Sequence, residues 1–271
     1  MSEKAAILSD VHGNSPALKA VLEDIHNVGC TRLFVLGDVI NGIDPDGCLD
    51  LLKAWGNVVC LKGNAESYLL TPDLDRFPQR EEPLYRNVIR LLCWWQAHIS
   101  DANMAWIQSM PDLVLWDDSC LVHDSPLDRA FPQNWKIPGV DDKYQELCHH
   151  AKGITQNMPA KEMAALSSFM DEKKLSRVFC GHTHKSFVQR MGQKLICNAG
   201  SVGMPMDGDP RPSWVMVGGA EGRRVVTIRR VSYDIDQILQ MIDEVLDYPG
   251  FDNPDRRDAY KVRFITGSIP D

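Results

Sequence analysis

Five short apolar runs in this chain each stop at a residue that can bind a metal. Residues 4–8 lead into Ser9-Asp10-Val11-His12, and 32–36 lead into Gly37-Asp38. Residues 57–61 lead into Gly63-Asn64, 120–122 run into His123, and 177–180 into Gly181-His182-Thr183-His184. Short apolar runs bounded by turn residues read as buried strands. Between the first two runs, Ala17, Leu18, Val21, Leu22, Ile25 and Val28 recur at helical spacing. Ser15 is the expected cap of that helix, Pro16 fits its first turn, and Gly29 stops it. Pro45 opens a shorter helix carrying Leu49, Leu52 and Trp55. Strands that alternate with helices pack as a largely parallel sheet covered by helices, an α/β fold. In such sheets ligand-binding residues gather at the carboxyl ends of the strands.

That constraint brings together two carboxylates (Asp10, Asp38), four imidazoles (His12, His123, His182, His184) and one amide (Asn64). Taken singly, an aspartate after a strand is a turn or cap residue, and a histidine is a surface or hydrogen-bonded core residue. Taken in order, each after its own strand, they suit a pair of divalent transition metals.

The remaining pattern is less regular. No strand is expected from Tyr68 to Met110; helices are expected over 82–99 and from Ser100-Asp101 to Met110. This stretch, 68–111, reads as a helical cap inserted in a single domain spanning 1–271. A strand pair is expected around Asp117-Asp118, then a proline-rich loop over 126–138 and helices over 141–151 and 159–173. Gly192-Gln193 reads as a hairpin between 187–191 and 194–198. Residues 214–217 and 224–229 read as a further antiparallel pair, and 234–246 as an amphipathic helix. The tail from Pro249 gives no clear pattern. Trp94, Trp95, Trp106 and Trp135 cluster in the cap and the proline-rich loop. A small helical core is the favoured reading for them, and a wall that stacks a nucleobase is the sharper one.

Charge and cysteine usage exclude several classes. The chain has 271 residues and a formal net charge of −8, which opposes non-specific binding to a nucleic-acid backbone. No apolar stretch approaches the roughly 20 residues of a membrane-spanning helix. The opening MSEKAAILSD lacks the pattern of a secretory signal, so a cytoplasmic location is expected. Eight cysteines are scattered with no C-x-x-C pair. They are expected to be buried and reduced, not to hold zinc.

The motifs together make the chain resemble the calcineurin-like metallophosphoesterase superfamily. They are Asp10-Val11-His12, Gly37-Asp38-Val39, Gly63-Asn64-Ala65-Glu66, Leu121-Val122-His123 and Gly181-His182-Thr183-His184. Residues 198–205, Asn-Ala-Gly-Ser-Val-Gly-Met-Pro, are similar to a segment of its smaller prokaryotic phosphodiesterase branch. The resemblance spans about residues 4–230. It implies a four-layer αββα metallophosphoesterase sandwich with the helical cap insertion. One metal would be held by Asp10, His12, Asp38 and His184, the other by Asp38, Asn64, His123 and His182, with Asp38 bridging. Asp38, Asn64 and His123 are the expected catalytic residues. Manganese is the expected ion, with iron, zinc or magnesium as alternatives. Two such ions hold a shared hydroxide for in-line attack on phosphorus and leave the site about one unit positive.

The implied activity is hydrolysis of a small-molecule phosphodiester or phosphoanhydride, with a nucleotide-like substrate and a homo-oligomer as further expectations. Phosphomonoester or phosphoprotein hydrolysis is the alternative within the enzyme class, and a silent metal-binding scaffold is the alternative outside it. Two departures from the family pattern matter. Ala65 stands where many relatives have a histidine able to protonate the leaving group, which favours acidic leaving groups. Met206 stands near a position where the branch often has arginine. Arg211 is a candidate to replace it, with a surface loop cation as the plain reading.

Overall fold

Buried on both faces, Ala-Ala-Ile-Leu at Ala5–Leu8 forms β1, the middle strand of the first of two sheets. In this computed structural model, residues 4–71, 83–127, 153–219 and 224–268 are described. The expected helix at 141–151, most of the loop at 126–138, and Trp135, Cys148, His149 and His150 lie outside them.

The first half alternates as its pattern requires. After β1 come α1 (Ser15–Asn27), β2 (Arg32–Val35), α2 (Pro45–Trp55) and β3 (Val58–Cys60), followed by α3 (Asn64–Leu70). Asn14, not Ser15, caps α1: its Oδ1 accepts from the Ala17 N–H at 3.1 Å. Helices α4 (Pro83–His98) and α5 (Asp101–Ser109) follow. Then come β4 (Leu113–Trp116), β5 (Ser119–Val122), α6 (Ala160–Glu172), β6 (Arg177–Cys180), β7 (Phe187–Met191) and β8 (Lys194–Asn198). The chain closes with β9 (Ser213–Gly218), β10 (Val225–Arg230), α7 (Ile235–Glu244) and α8 (Pro254–Thr266).

The sheets run β10-β9-β1-β2-β3 and β4-β5-β6-β8-β7. β1 is parallel to β2, and β2 to β3, as the helical crossovers demand. In the second sheet β5, β6 and β8 are parallel. The expected hairpins are present at the edges: β7 with β8, β9 with β10, and β4 with β5.

Strand alternation divides the core into three clusters and sets the layers. Ile7, Phe34 and Val215 of the first sheet face Trp116, Leu121 and Phe179 of the second. Leu8, Leu33 and Val35 turn the other way, beneath Leu18 and Ile25 of α1 and Leu49 and Leu52 of α2. Val122, Val178 and Ile196 cover Leu166 and Met170 of α6. Helix, sheet, sheet and helix therefore stack as an αββα sandwich.

Within 68–111, α4 packs on α2 and α3, and α5 packs on α2. Trp94 and Trp95 are buried in the same apolar cluster as Leu49 and Leu52, and half-buried Trp106 packs against it. These described tryptophans serve a core. Two helices went unforeseen: α3, and α8 in the tail. The described cysteines are all free, and only Cys93 among them is exposed.

Candidate metal centre

The carboxyl ends of β1, β2, β5 and β6 meet where the two sheets face each other. Asp10 and His12 follow β1, Asp38 follows β2, Asn64 begins α3, His123 follows β5, and His182 and His184 follow β6. All seven expected ligands are brought together by direct contacts. His12 Nε2 lies 2.9 Å from His184 Nε2, 3.7 Å from Asp10 Oδ1 and 3.9 Å from Asp38 Oδ2. His184 Nε2 lies 3.2 Å from Asp10 Oδ1. On the other side, His123 Nε2 lies 3.6 Å from Asp38 Oδ1 and 3.2 Å from His182 Nδ1. The Asn64 amide reaches both rings, at 3.1 Å from His123 Nε2 and 3.0 Å from His182 Nδ1.

The hydrogen bonds fix which ring atoms face inward. The Nδ1 of His12, His123 and His184 meets the carbonyls of Asn41, Leu36 and Met204 at 3.0, 3.0 and 2.6 Å. A carbonyl only accepts, so each Nδ1 carries the proton and each Nε2 turns a lone pair into the site. Two such lone pairs 2.9 Å apart repel unless a cation or proton lies between them. Asp10 Oδ1 beside them is buried and accepts no hydrogen bond, a costly state that a cation relieves. The donor set therefore fits divalent metals. Two groups of ligand atoms lie within 4.8 Å of one another: Asp10, His12 and His184, and Asp10, Asp38 and His123. Without a cation, the Asn64 NH2 donates to the two histidine nitrogens; a cation there requires the amide oxygen inward.

Electrostatics in the metal-free site follow the same contacts. Burial opposes the Asp10 charge, yet His184 and His12 hold its carboxyl well below the usual range. Burial opposes charge on His123 and His184 as well, but Asp38 and Asp10 respectively prevail and raise both. His182 is pushed down to about 4 by burial and by its neighbour His123.

The backbone here is strained. Asp10, His12, Asp38, His182 and His184 all have positive φ, between 47° and 68°. Left-handed non-glycine residues cost about 1–3 kcal/mol each and persist only where their surroundings over-determine them. Glu66 is one such determinant, and its role was not read from the sequence. Fully buried, it accepts N–H bonds from Asp38 and Gly63 on one oxygen and from Val39 and Ile40 on the other, at 2.7–3.2 Å. It sits at the third position of α3, where a glutamate reaches back to the cap; that spacing was the available signal. Its own carboxyl is raised by burial and by the nearby Asp38 charge.

The segment at 198–205 is a second determinant. Asn198 Nδ2 donates to the Gly181 carbonyl at 2.7 Å and to Thr183 Oγ1 at 3.0 Å. Ser201 Oγ donates to the Asp10 carbonyl at 2.7 Å, and the Gly203 N–H donates to the same carbonyl at 2.9 Å. Two loops from different sheets are thus fixed by one segment. Glycine is required at Gly63 and Gly181 by close approach. A Cβ at Gly63 would collide with Asp38 Oδ1, and one at Gly181 with Ser9 Oγ and Asp10 Oδ2. Arg211 is exposed and held bidentately by Asp209, at 3.0 and 2.7 Å, so the surface-cation reading describes it.

The comparisons with known proteins give the family and the fold. The sequence profile of the calcineurin-like phosphoesterase superfamily domain matches residues 4–219. An uncharacterised protein of Methanocaldococcus jannaschii is 27% identical over 264 residues, covering 88% of this chain and 90% of its own. The crystal structure of a metallophosphoesterase from Sphaerobacter thermophilus has a similar fold. It superposes with a TM-score of 0.67 at 23% identity, over 97% of this chain and 99% of that one. A hypothetical protein from Pyrococcus horikoshii shows the same fold, with a TM-score of 0.66 at 16% identity over 89% and 92%. The chain belongs to the calcineurin-like phosphoesterase superfamily and is a metal-dependent phosphoesterase.

Proposed function

We propose that this protein is a dinuclear phosphoesterase that hydrolyses a small-molecule phosphodiester or phosphoanhydride. One observation carries the reading. Three imidazoles pinned at Nδ1 by backbone carbonyls aim their Nε2 atoms at two adjacent clusters that have the Asp10 carboxylate in common, and the two Asp38 oxygens reach towards both sides, Oδ2 to His12 at 3.9 Å and Oδ1 to His123 at 3.6 Å. Asp10, His12, Asp38 and His184 would hold one ion, and Asp38, Asn64, His123 and His182 the other, with Asp38 common to both. When bound, such ions supply Lewis-acid charge for phosphoryl oxygens and acidify water. Manganese is the proposed ion, because carboxylate and amide oxygens stand beside the imidazoles.

The chain's own residues do the positioning. The carbonyls of Asn41, Leu36 and Met204 hold the imidazoles in the ligating tautomer. Glu66 holds the 38–40 backbone, and Ser201 and Asn198 hold the Asp10 and Gly181 turns. Asn64 and His182 are half-buried while the other ligands are buried, so substrate enters on the Asn64–His182 side. Ala65 is buried beside Asp38 and offers no proton. The departing oxygen must therefore leave as a stable anion, which selects aryl phosphodiesters and phosphoanhydrides over alkyl esters.

The test is turnover by metal-stripped protein reconstituted with manganese. Bis(p-nitrophenyl) phosphate should be cleaved in a manganese-dependent way and an alkyl phosphodiester about 10²-fold or more slower. Equal rates on alkyl and aryl diesters would point to a proton donor this reading lacks. Preference for p-nitrophenyl phosphate would favour the monoesterase alternative, and no turnover with metal bound would favour the scaffold.

A further inference from the structure

A second cleft, of about 380 Å³, opens between α4, residues 248–251 and α8. That volume is within the range of small-molecule sites. Val88 and Leu91 form one wall, and Tyr248, Phe251 and Tyr260 form the other. The three rings touch one another, with centroids 4.7–6.1 Å apart. Trp94 backs Tyr248 edge-on at 4.9 Å, so the aromatic wall is fixed from behind.

Two arginines, Arg256 and Arg263, also line the cleft. In this acidic chain, Arg177, Arg211, Arg224, Arg229 and Arg230 each pair with an aspartate. Among the described residues no carboxylate pairs with Arg256 or Arg263. Arg263 Nε is buried without an acceptor, and its Nη1 meets only the soft Met204 Sδ at 3.8 Å. Arg263 Cζ lies 5.8 Å from the centre of the Tyr260 ring, so a guanidinium with no anion and an aromatic wall stand side by side, and a planar anion meets both.

We propose that this cleft is a second binding site, for a planar aromatic ring bearing a phosphoryl group. The ring packs against Tyr248, Phe251 and Tyr260, and the phosphoryl group pairs with Arg256 and Arg263. The cleft is distinct from the metal centre, because none of the seven expected ligands lines it; Met204, whose carbonyl meets His184 and whose sulfur meets Arg263, is the residue that links the two. It does not rest on the proposed reaction.

Binding to the full chain, kept metal-free, tests the proposal, and two variants on α8 separate binding in this cleft from binding at the metal centre. Adenosine 5′-monophosphate, adenosine and inorganic phosphate are titrated separately by calorimetry. The monophosphate should saturate one site, with adenosine and phosphate each at least about tenfold weaker, since each supplies half the contacts. Arg256→Gln and Ala259→Glu lie on the exposed face of α8 and leave the core intact. Each should weaken the monophosphate at least about tenfold, the first by removing a cation and the second by repulsion. No saturation at millimolar concentration would overturn the proposal. So would adenosine or phosphate binding as tightly as the monophosphate, or either variant binding unchanged.

Discussion

At the scale of single residues, the site is a problem in holding like groups together. The Nε2 atoms of His12 and His184, 2.9 Å apart beside the buried Asp10 carboxylate, need a proton or a cation between them, and on the facing side Glu66 locks the 38–40 backbone. Replacing Glu66 by Gln turns an NH2 group towards two backbone N–H donors. That should cost about 1–3 kcal/mol of stability and weaken metal binding roughly 10–100-fold. Thermal unfolding and a manganese titration read both effects; unchanged metal affinity would show that the 38–40 backbone holds without it. The raised His123 and His184 set the pH dependence. Each keeps its proton above the ordinary imidazole value, and a metal must displace it. Manganese uptake should therefore release more protons at about pH 6 than at about pH 8, and affinity should climb as pH rises. His182, at about 4, is already neutral and contributes nothing to that release. In the metal-free fold, the stabilisation from protonated His123 and His184 is present below the unfolded value of about 6.5 and is lost as pH rises through their folded values. Proton release independent of pH, measured in unbuffered titrations, would contradict this assignment.

The ligands themselves were legible in the sequence because each follows an apolar run and topology decides where run ends go. What holds them was not legible. The position of Glu66 in α3 signals only its bond to Gly63; its bonds to residues 38–40, and those of Asn198 to Gly181, join segments remote in sequence that no spacing encodes. The same division applies at the scale of elements. α1 and α2 announce themselves through apolar residues on one face. α8 has clear end signals: Asn253 caps it, Pro254 opens it, and Gly267 ends it in the left-handed region. Yet Phe264 is its only fully buried residue, so the apolar periodicity that marks a helix is nearly absent. Its stability leans on its ends. Asn253→Ala should cost about 1 kcal/mol, seen as a lower denaturant midpoint at unchanged slope. A change below about 0.2 kcal/mol would mean that packing of Tyr260 and Phe264 suffices.

At the scale of the whole molecule, the sandwich exists to bring two sets of strand ends together. Asp10, Asp38 and Asn64 come from the first sheet's side, and His123, His182 and His184 from the second's. The apolar layer between the sheets is therefore part of the site's geometry. Phe34 lies fully buried there, its ring centroid 4.9 Å from that of Trp116. Phe34→Ala should cost about 3–5 kcal/mol and lower metal affinity with it, because the Asp38 and His123 sides lose a common spacer. Stability lost with metal affinity intact would show that the loops hold the site alone.

The central claim is that Asp38 is shared by two ions which the reaction needs. Manganese bound per chain, measured by equilibrium dialysis alongside turnover of bis(p-nitrophenyl) phosphate, tests it most directly in wild type and Asp38→Asn. The account predicts two ions in the wild type, and fewer than two with turnover abolished in the variant. A single ion supporting full turnover, or an Asp38→Asn variant that keeps both its ions and its rate, would contradict it.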